Sequence, residues 1–247
     1  MKQIGINLLV YKNDLDNGMG QEKILSEIAN LGVFIAEIRR EYLKNSNEEL
    51  IEINKLAQKL NLEIYYSVPE KIACEKKINS NIKVYFEEAK QMGSTHIKFN
   101  IGDLENLDIC EIKKLKDIIN SFDMKITIEN DQTPENGTLK SVINAIDVID
   151  NTLLPIGYTF DLGNWYWQNE DPKNAFNLLN SKITVFHLKN IDILNNVPST
   201  TLLSEGKIDW VSMLKEISKD VPIIIEYPIE KDNILAEVEQ VKKALLY

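Results

Sequence analysis

Four residues in the second half of the chain each close a short apolar run. Lys-Ile-Thr-Ile ends in Glu129, Gly-Tyr-Thr-Phe in Asp161, Thr-Val-Phe in His187, and Ile-Ile-Ile in Glu226. Three carboxylates and one imidazole that converge on a point repel one another unless something positive sits among them. A divalent cation meets that need. A mixed oxygen and nitrogen set without thiolate suits Mn, Mg, Co or Zn and does not choose among them. The competing arrangement is a polar cluster satisfied by hydrogen bonds and by Lys or Arg partners, with no ion. Any one carboxylate at a strand end is weak testimony, because such groups commonly cap helices; the conjunction of four carries the reading.

For these side chains to meet, the runs that end in them must be neighbouring strands. Eight β-rich runs, at 3–10, 33–39, 62–68, 96–101, 125–129, 156–161, 183–188 and 223–227, alternate with helical stretches at a repeat of about 30 residues, as βα units do. Leu50, Ile53, Ala57 and Leu60 form one apolar stripe between strands, and Ile234, Val238, Val241 and Leu245 another. Ser46-Asn47-Glu48-Glu49 resembles a capping box, Asp171-Pro172 an N-cap followed by Pro, and Gly32 and Gly93 stand as helix stops. The expected fold is α/β, a single (β/α)8 TIM barrel spanning 1–247, the length such barrels use. An open doubly wound sheet is the alternative, but its Gly-rich phosphate loop is absent. In such barrels the reactive groups sit at the carboxyl ends of the strands, where the four residues fall.

With 44% hydrophobic and 27% charged residues the composition is that of an ordinary globular protein. A formal net charge of -10 opposes binding to a phosphate backbone, so nucleic acid is not an expected partner. The start shows neither a signal peptide nor a cleavage site, and no apolar run approaches the roughly 18 residues of a membrane span. A cytoplasmic location away from membranes is therefore expected. Cys74 and Cys110 are the two cysteines; they exclude a disulfide framework and a Cys-x-x-Cys metal motif, and are expected as buried or helix-surface thiols.

The residues also carry a resemblance. Ala36-Glu37-Ile38-Arg39 at strand two, Ile128-Glu129-Asn130 at strand five, Phe160-Asp161-Leu162-Gly163-Asn164-Trp165 at strand six, His187-Leu188-Lys189 at strand seven and Glu205-Gly206-Lys207-Ile208-Asp209-Trp210 before the last helix resemble the xylose isomerase-like barrel superfamily of sugar isomerases, epimerases and dehydratases. The order Glu, Asp, His, Glu on the last four strands matches that superfamily's metal set. The resemblance spans nearly the whole chain and implies a metal-dependent isomerase or epimerase acting on a sugar, polyol or sugar phosphate. It implies an enediolate intermediate steadied by the metal, with Glu129 and Glu226 as bases on opposite faces and Asp161 and His187 mainly holding the ion. It is compatible with a homo-oligomer. Ketose epimerases of the superfamily often carry His three residues after the strand-six Asp and Arg six after the strand-seven His. This chain has Asn164 and Ile193, which separates it from ketohexose epimerases, and Asn190 replaces the acid of a frequent His-x-Lys-Asp motif.

Other residues are candidates for the substrate. Lys189, on the face of His187, could receive a phosphate or carboxylate or polarise a leaving hydroxyl, or else pair with a barrel carboxylate. Glu37 and Arg39 share a face and are expected to pair with each other along the pocket, or to pack in the barrel interior. Trp165 and Trp167 could shield the site or stack on a sugar ring, with loop packing the alternative; Trp210 anchors the last helix. Asn7, Asn100, Asn130 and Asn164 could meet hydroxyls, whereas His96, ahead of its apolar run, is structural. The alternative functions are an inosose or keto-acid type dehydratase, a non-catalytic sugar-binding barrel, and an abasic-site (AP) endonuclease, the last opposed by only two His and the acidic charge.

Overall fold

Eight strands of β-branched and aromatic residues pair side by side and close on themselves in a computed structural model that describes residues 3–44 and 47–246. They are β1 (Ile4–Asn7), β2 (Ile35–Arg39), β3 (Glu63–Cys74), β4 (His96–Gly102), β5 (Lys125–Glu129), β6 (Gly157–Asp161), β7 (Ile183–Leu188) and β8 (Ile223–Ile225). Every neighbouring pair is parallel, and β1 pairs with both β2 and β8, so the sheet has no free edge along the barrel. Seven helices cross between successive strands, α1 (Gln21–Asn30), α2 (Asn47–Leu60), α3 (Ile82–Gln91), α4 (Ile109–Asn120), α5 (Leu139–Thr152), α6 (Pro172–Leu179) and α7 (Trp210–Glu216), and α8 (Lys231–Ala244) follows the last strand. The architecture is a (β/α)8 barrel.

Two apolar layers hold it. The larger lies between sheet and helices and includes the stripe residues Leu50, Ile53 and Ala57 of α2 and Ile234, Val238 and Val241 of α8. The smaller cluster is separate: Ile35, Tyr65, Val185 and Ile224, one from each of four strands, plug the barrel interior. Gly5 permits that plug, since a Cβ there would come 2.7 Å from Ile35 Cβ. Helix punctuation follows the chain's own signals. Asp171 accepts from the Lys173 N–H at 2.9 Å with Pro172 in the first helical turn. Gly93 leaves α3 with φ +69, in the left-handed region. The Ser46 part of the capping box lies outside the described residues.

Several expected boundaries change. β1 stops at Asn7 and not at Val10, because the Asn7 side chain accepts from Leu9 N–H at 2.9 Å and starts a 3-10 turn over Leu8–Tyr11. β3 runs on to Cys74, with an irregularity between Ser67 and Lys71. Trp210 opens α7, ahead of β8, instead of anchoring the last helix, and donates from Nε1 to Leu203 O at 3.0 Å. Beyond β7 an unexpected hairpin pairs Asn190–Leu194 with Val197–Thr201 through Asn195 and Asn196, both at positive φ. Both cysteines are exposed, Cys110 on α4 and Cys74 at the end of β3, where burial was the other expectation. No helix among the described residues is long and apolar enough to cross a membrane.

Candidate metal centre and active site

Strand register brings the four strand-end residues together. Asp161 on β6 is the direct Cα partner of His187 on β7, and Glu226, one residue past β8, still donates its N–H to Leu188 O at 3.1 Å. Glu129 closes β5 beside Thr159. All four are buried, and one ligand atom from each lies within 4.8 Å of every other. His187 Nδ1 stands at the centre, 2.7 Å from Glu129 Oε1 and 2.8 Å from Glu226 Oε2.

Each of the four side chains spends one atom on an anchor and turns another inward. Asp161 Oδ1 accepts the N–H groups of Gly163 and Asn164, both at 3.0 Å, which leaves Oδ2 beside Lys189 Nζ at 2.7 Å. Gly163 is required here, since a Cβ would sit 2.5 Å from Lys189 Cγ. Lys98 bonds Glu129 Oε2, leaving Oε1 for the centre. Glu226 Oε1 accepts from Asn7 Nδ2 at 3.0 Å and from the Arg39 guanidinium at 2.9 Å, leaving Oε2 for the centre. His187 Nε2 faces Glu37 Oε2 at 3.1 Å, and Glu37 is itself held by Asn7 Nδ2 at 2.7 Å. A carboxylate behind the distal ring nitrogen is the usual way to fix the tautomer and orientation of a metal-ligating imidazole.

The electrostatics are those of a cluster short of positive charge. Burial, with Glu129 and Glu226 close by, pushes Asp161 up to about 7 in spite of Lys189. His187 is buried, which by itself favours the neutral ring, yet Glu226, Glu37 and Glu129 hold its pKa well above the usual imidazole range. Against its own burial, Glu226 is held well below the ordinary carboxylate range by His187, Lys98 and Lys189.

A divalent ion fits these residues. Glu129 Oε1 and Asp161 Oδ2, which turn to the centre, are buried without a hydrogen bond, although His187 Nδ1 and Lys189 Nζ lie close by. Nδ1 can direct its one hydrogen to Glu226, so the approach of Glu129 Oε1 is crowding of charge without a bond. Oxygens packed around a nitrogen at such distances, unpaired, are what a mixed oxygen and nitrogen ligand shell leaves when no ion is present.

The substrate candidates separate. Lys189 pairs with Asp161 and lies 3.8 Å from Glu226, so its charge is already matched. Arg39 shares a face with Glu37 but pairs with Glu226 and Glu41, correcting the expected Glu37–Arg39 pair; successive residues of one face lie about 6.6 Å apart along the strand, and Glu226 is nearer. Asn7 spans Glu37 and Glu226 instead of standing free. Asn164 donates to Asn130 O at 2.9 Å and accepts from Lys189 at 3.2 Å. Asn130 is not open to a hydroxyl either: it accepts the Asp161 N–H at 2.9 Å and donates to Asp161 O at 3.0 Å, clamping that ligand's backbone. Trp165 is fully buried, 5.5 Å from Phe160, so no ring face is left for stacking on a sugar; Trp167 is half-buried and also packs against the core. Asn100 is half-buried on β4 beside Glu129. His96 lies toward the opposite mouth, its Nε2 2.9 Å from Thr127 Oγ1, and burial pushes it down to about 3.

Lys98 was absent from the sequence candidates. The available signal was a lysine in the middle of the apolar β4 run, two residues from His96 and two from Asn100, hence on their face. Asn190 likewise finds its role only in three dimensions: it donates to Leu203 O at 2.9 Å and accepts the Ile208 N–H at 3.0 Å, holding the loop that carries Gly206.

The fold is shared with known proteins. A family model described as xylose isomerase-like TIM barrel matches residues 25–246. Among solved structures, a D-tagatose 3-epimerase-like protein superposes with TM-score 0.74 at 20% identity, covering 100% of this chain and 97% of its own. The IOLI protein with a bound zinc atom gives 0.73 at 16%, covering 100% and 97%. The probable 3-DHS dehydratase AsbF of Bacillus anthracis gives 0.69 at 16%, covering 98% and 99%. At these identities the likeness is one of fold. No curated protein sequence matches significantly.

Proposed function

Because the chain belongs to the xylose isomerase-like TIM barrel family, we propose that it is a divalent-metal-dependent isomerase or epimerase acting on a sugar or sugar phosphate, with Glu129 and Glu226 carrying the proton. The observation that supports this reading is the paired design of the two glutamates. Each has one oxygen anchored by a cation, the buried Lys98 or the half-buried Arg39, and the other turned to the common centre beside His187. A divalent ion held by Glu129, Asp161, His187 and Glu226 supplies positive charge that steadies the substrate's adjacent oxygens as a neighbouring C–H proton leaves.

The protein's own side chains do the rest. Glu129 takes the proton from one face of the substrate carbon and Glu226 returns one to the other, the two roles exchanging in the reverse reaction. Lys98 and Arg39 fix the carboxylates in place, so little reorganisation is needed when the proton moves. Asp161, pinned by two backbone N–H groups, and His187, backed by Glu37, hold the geometry. The neighbouring folds of an epimerase-like protein and a zinc-bound protein are in keeping with this reading.

A dehydratase is the second reading, favoured by Lys189, whose ammonium lies 2.7 Å from Asp161 and 3.8 Å from Glu226 and could protonate a departing hydroxide. The test is incubation of the manganese-loaded protein in D2O with a panel of aldoses, ketoses and their phosphates, followed by NMR and ultraviolet absorption. Deuterium at one carbon with an epimerised or isomerised product, abolished in Glu129→Gln and Glu226→Gln, supports the first reading. An unsaturated carbonyl that absorbs in the ultraviolet supports the second. Neither, across the panel, overturns both.

A further inference from the structure

Three cations at the carboxyl mouth of the barrel are already matched: Arg39 by Glu226 and Glu41, Lys98 by Glu129, and Lys189 by Asp161. Lys71 is different. It lies where β3 runs on past its irregularity, half-buried, and its ammonium has no ion pair or hydrogen bond among the described residues. Its Cα partner on β4 is Asn100, whose partner on β5 is Glu129. Residues in register across parallel strands present their side chains to one face, so Lys71, Asn100 and Glu129 form a row at the strand ends. The stem of Lys71 agrees with this, since a Cβ on Gly102, two residues beyond Asn100, would come 2.6 Å from Lys71 Cβ.

Asn100 also has no side-chain partner among the described residues. One layer deeper in the same two strands stands Ser67, the Cα partner of Lys98, fully buried with no hydrogen bond to its Oγ. The unpaired ammonium and the unpaired amide are thus carried by register partners, with the buried unpaired hydroxyl one layer below. With strands about 4.8 Å apart, the Lys71 backbone stands roughly 10 Å from that of Glu129 along the row.

We propose that Lys71 and Asn100 bind an anionic group, phosphate or carboxylate, at the far end of the substrate. This rests on the sugar-directed reading above and narrows it to anionic sugars. It also moves the anion-binding role expected of Lys189 to Lys71, because Lys189 already has its counter-charge. A charge-assisted contact of this kind strengthens binding by about tenfold to a hundredfold.

The test is calorimetric titration of the manganese-loaded protein with glucose, glucose 6-phosphate and glucuronate, which differ only at the terminal carbon, and with ribose and ribose 5-phosphate. The expected result is binding of at least one anionic sugar at least about tenfold tighter than its neutral parent. Lys71→Met abolishes that preference while leaving affinity for the parent unchanged, Lys71→Arg retains much of it, and Asn100→Ala weakens it. Phosphate is the natural group if only the phosphates gain, and carboxylate if only glucuronate does. Equal binding of neutral and anionic sugars, no binding of any, or a Lys71→Met loss shared equally by all of them overturns the proposal. Manganese stoichiometry is read separately. Its absence in the wild type overturns the metal-dependent reading, whereas a loaded protein indifferent to sugar charge overturns the anion subsite alone.

Discussion

Replacing Lys98 by Met in the metal-free protein isolates what the central cluster costs the fold. Lys98 and Glu129 are 4% and 5% exposed at their side chains and are bonded to each other, so removing the ammonium strands a buried carboxylate next to Glu226. Breaking a buried pair in this way costs about 3–5 kcal/mol, well above the worth of an exposed pair. For a chain of this size that corresponds to a fall in melting temperature of about 6–20 °C. The exposed pair Lys173–Glu216, side chains 42% and 49% accessible, is the control, and Lys173→Met is expected to move the midpoint by no more than about 2 °C. The loss also has a sign in pH. In the variant the Glu129 carboxyl is raised above its unfolded value, so the folded state binds the extra proton and the penalty grows as pH rises through that value. The assay is thermal unfolding followed by circular dichroism in EDTA at pH 5.5 and pH 8. A Lys98→Met midpoint within 2 °C of wild type at pH 8, or a penalty larger at pH 5.5, refutes the reasoning that the pair is buried and coupled.

Other outcomes follow from the same geometry. Glu37→Gln, which alters the carboxylate behind His187 Nε2, is expected to weaken manganese binding about 10–100-fold with little change in fold, read by titration against a metal indicator. His96, held at about 3 by burial against an ordinary 6.5, makes the folded state bind fewer protons than the unfolded one between those values. Its contribution is therefore complete above pH 6.5 and is lost as pH falls toward 3, by at most about 5 kcal/mol; His96→Gln should flatten that limb in denaturant titrations. Gly206→Ala would place a Cβ 2.1 Å from Asn190 Cγ and is expected to destabilise by about 1–3 kcal/mol, whereas an unchanged denaturation midpoint would show that Asn190 does not hold this loop.

Much of the barrel could be read from the chain because each strand is a short β-branched run and each helix a 3.6-residue stripe, both local properties. The four strand-end residues were legible for the same reason: a polar side chain that stops an apolar run is visible without any knowledge of pairing. What was not legible depends on partners far away in sequence. β1 ends early because Asn7 caps a turn, a choice between a side-chain acceptor and the sheet ladder that composition does not reveal. Arg39 chose Glu226 over Glu37, 187 positions apart against two, because barrel closure sets β8 beside β1 and hence near β2. Lys98 was missed because it interrupts its strand instead of ending it, and Trp165 was placed in the site when its loop folds back under Phe160. The hairpin beyond β7 was not expected, although Asn195 and Asn196 accept the positive φ that such turns demand.

The metal centre is tested most directly by the metal content of protein purified without added metal and then after loading with Mn, Co, Zn or Mg, beside Glu129→Gln and His187→Ala. The predicted result is close to one equivalent of a divalent ion per chain in the wild type, lost or much reduced in both variants while their circular dichroism is retained. A wild-type protein that holds none of the four ions even when they are supplied would contradict it, leaving a cluster satisfied by Lys98, Lys189, Arg39 and a protonated His187.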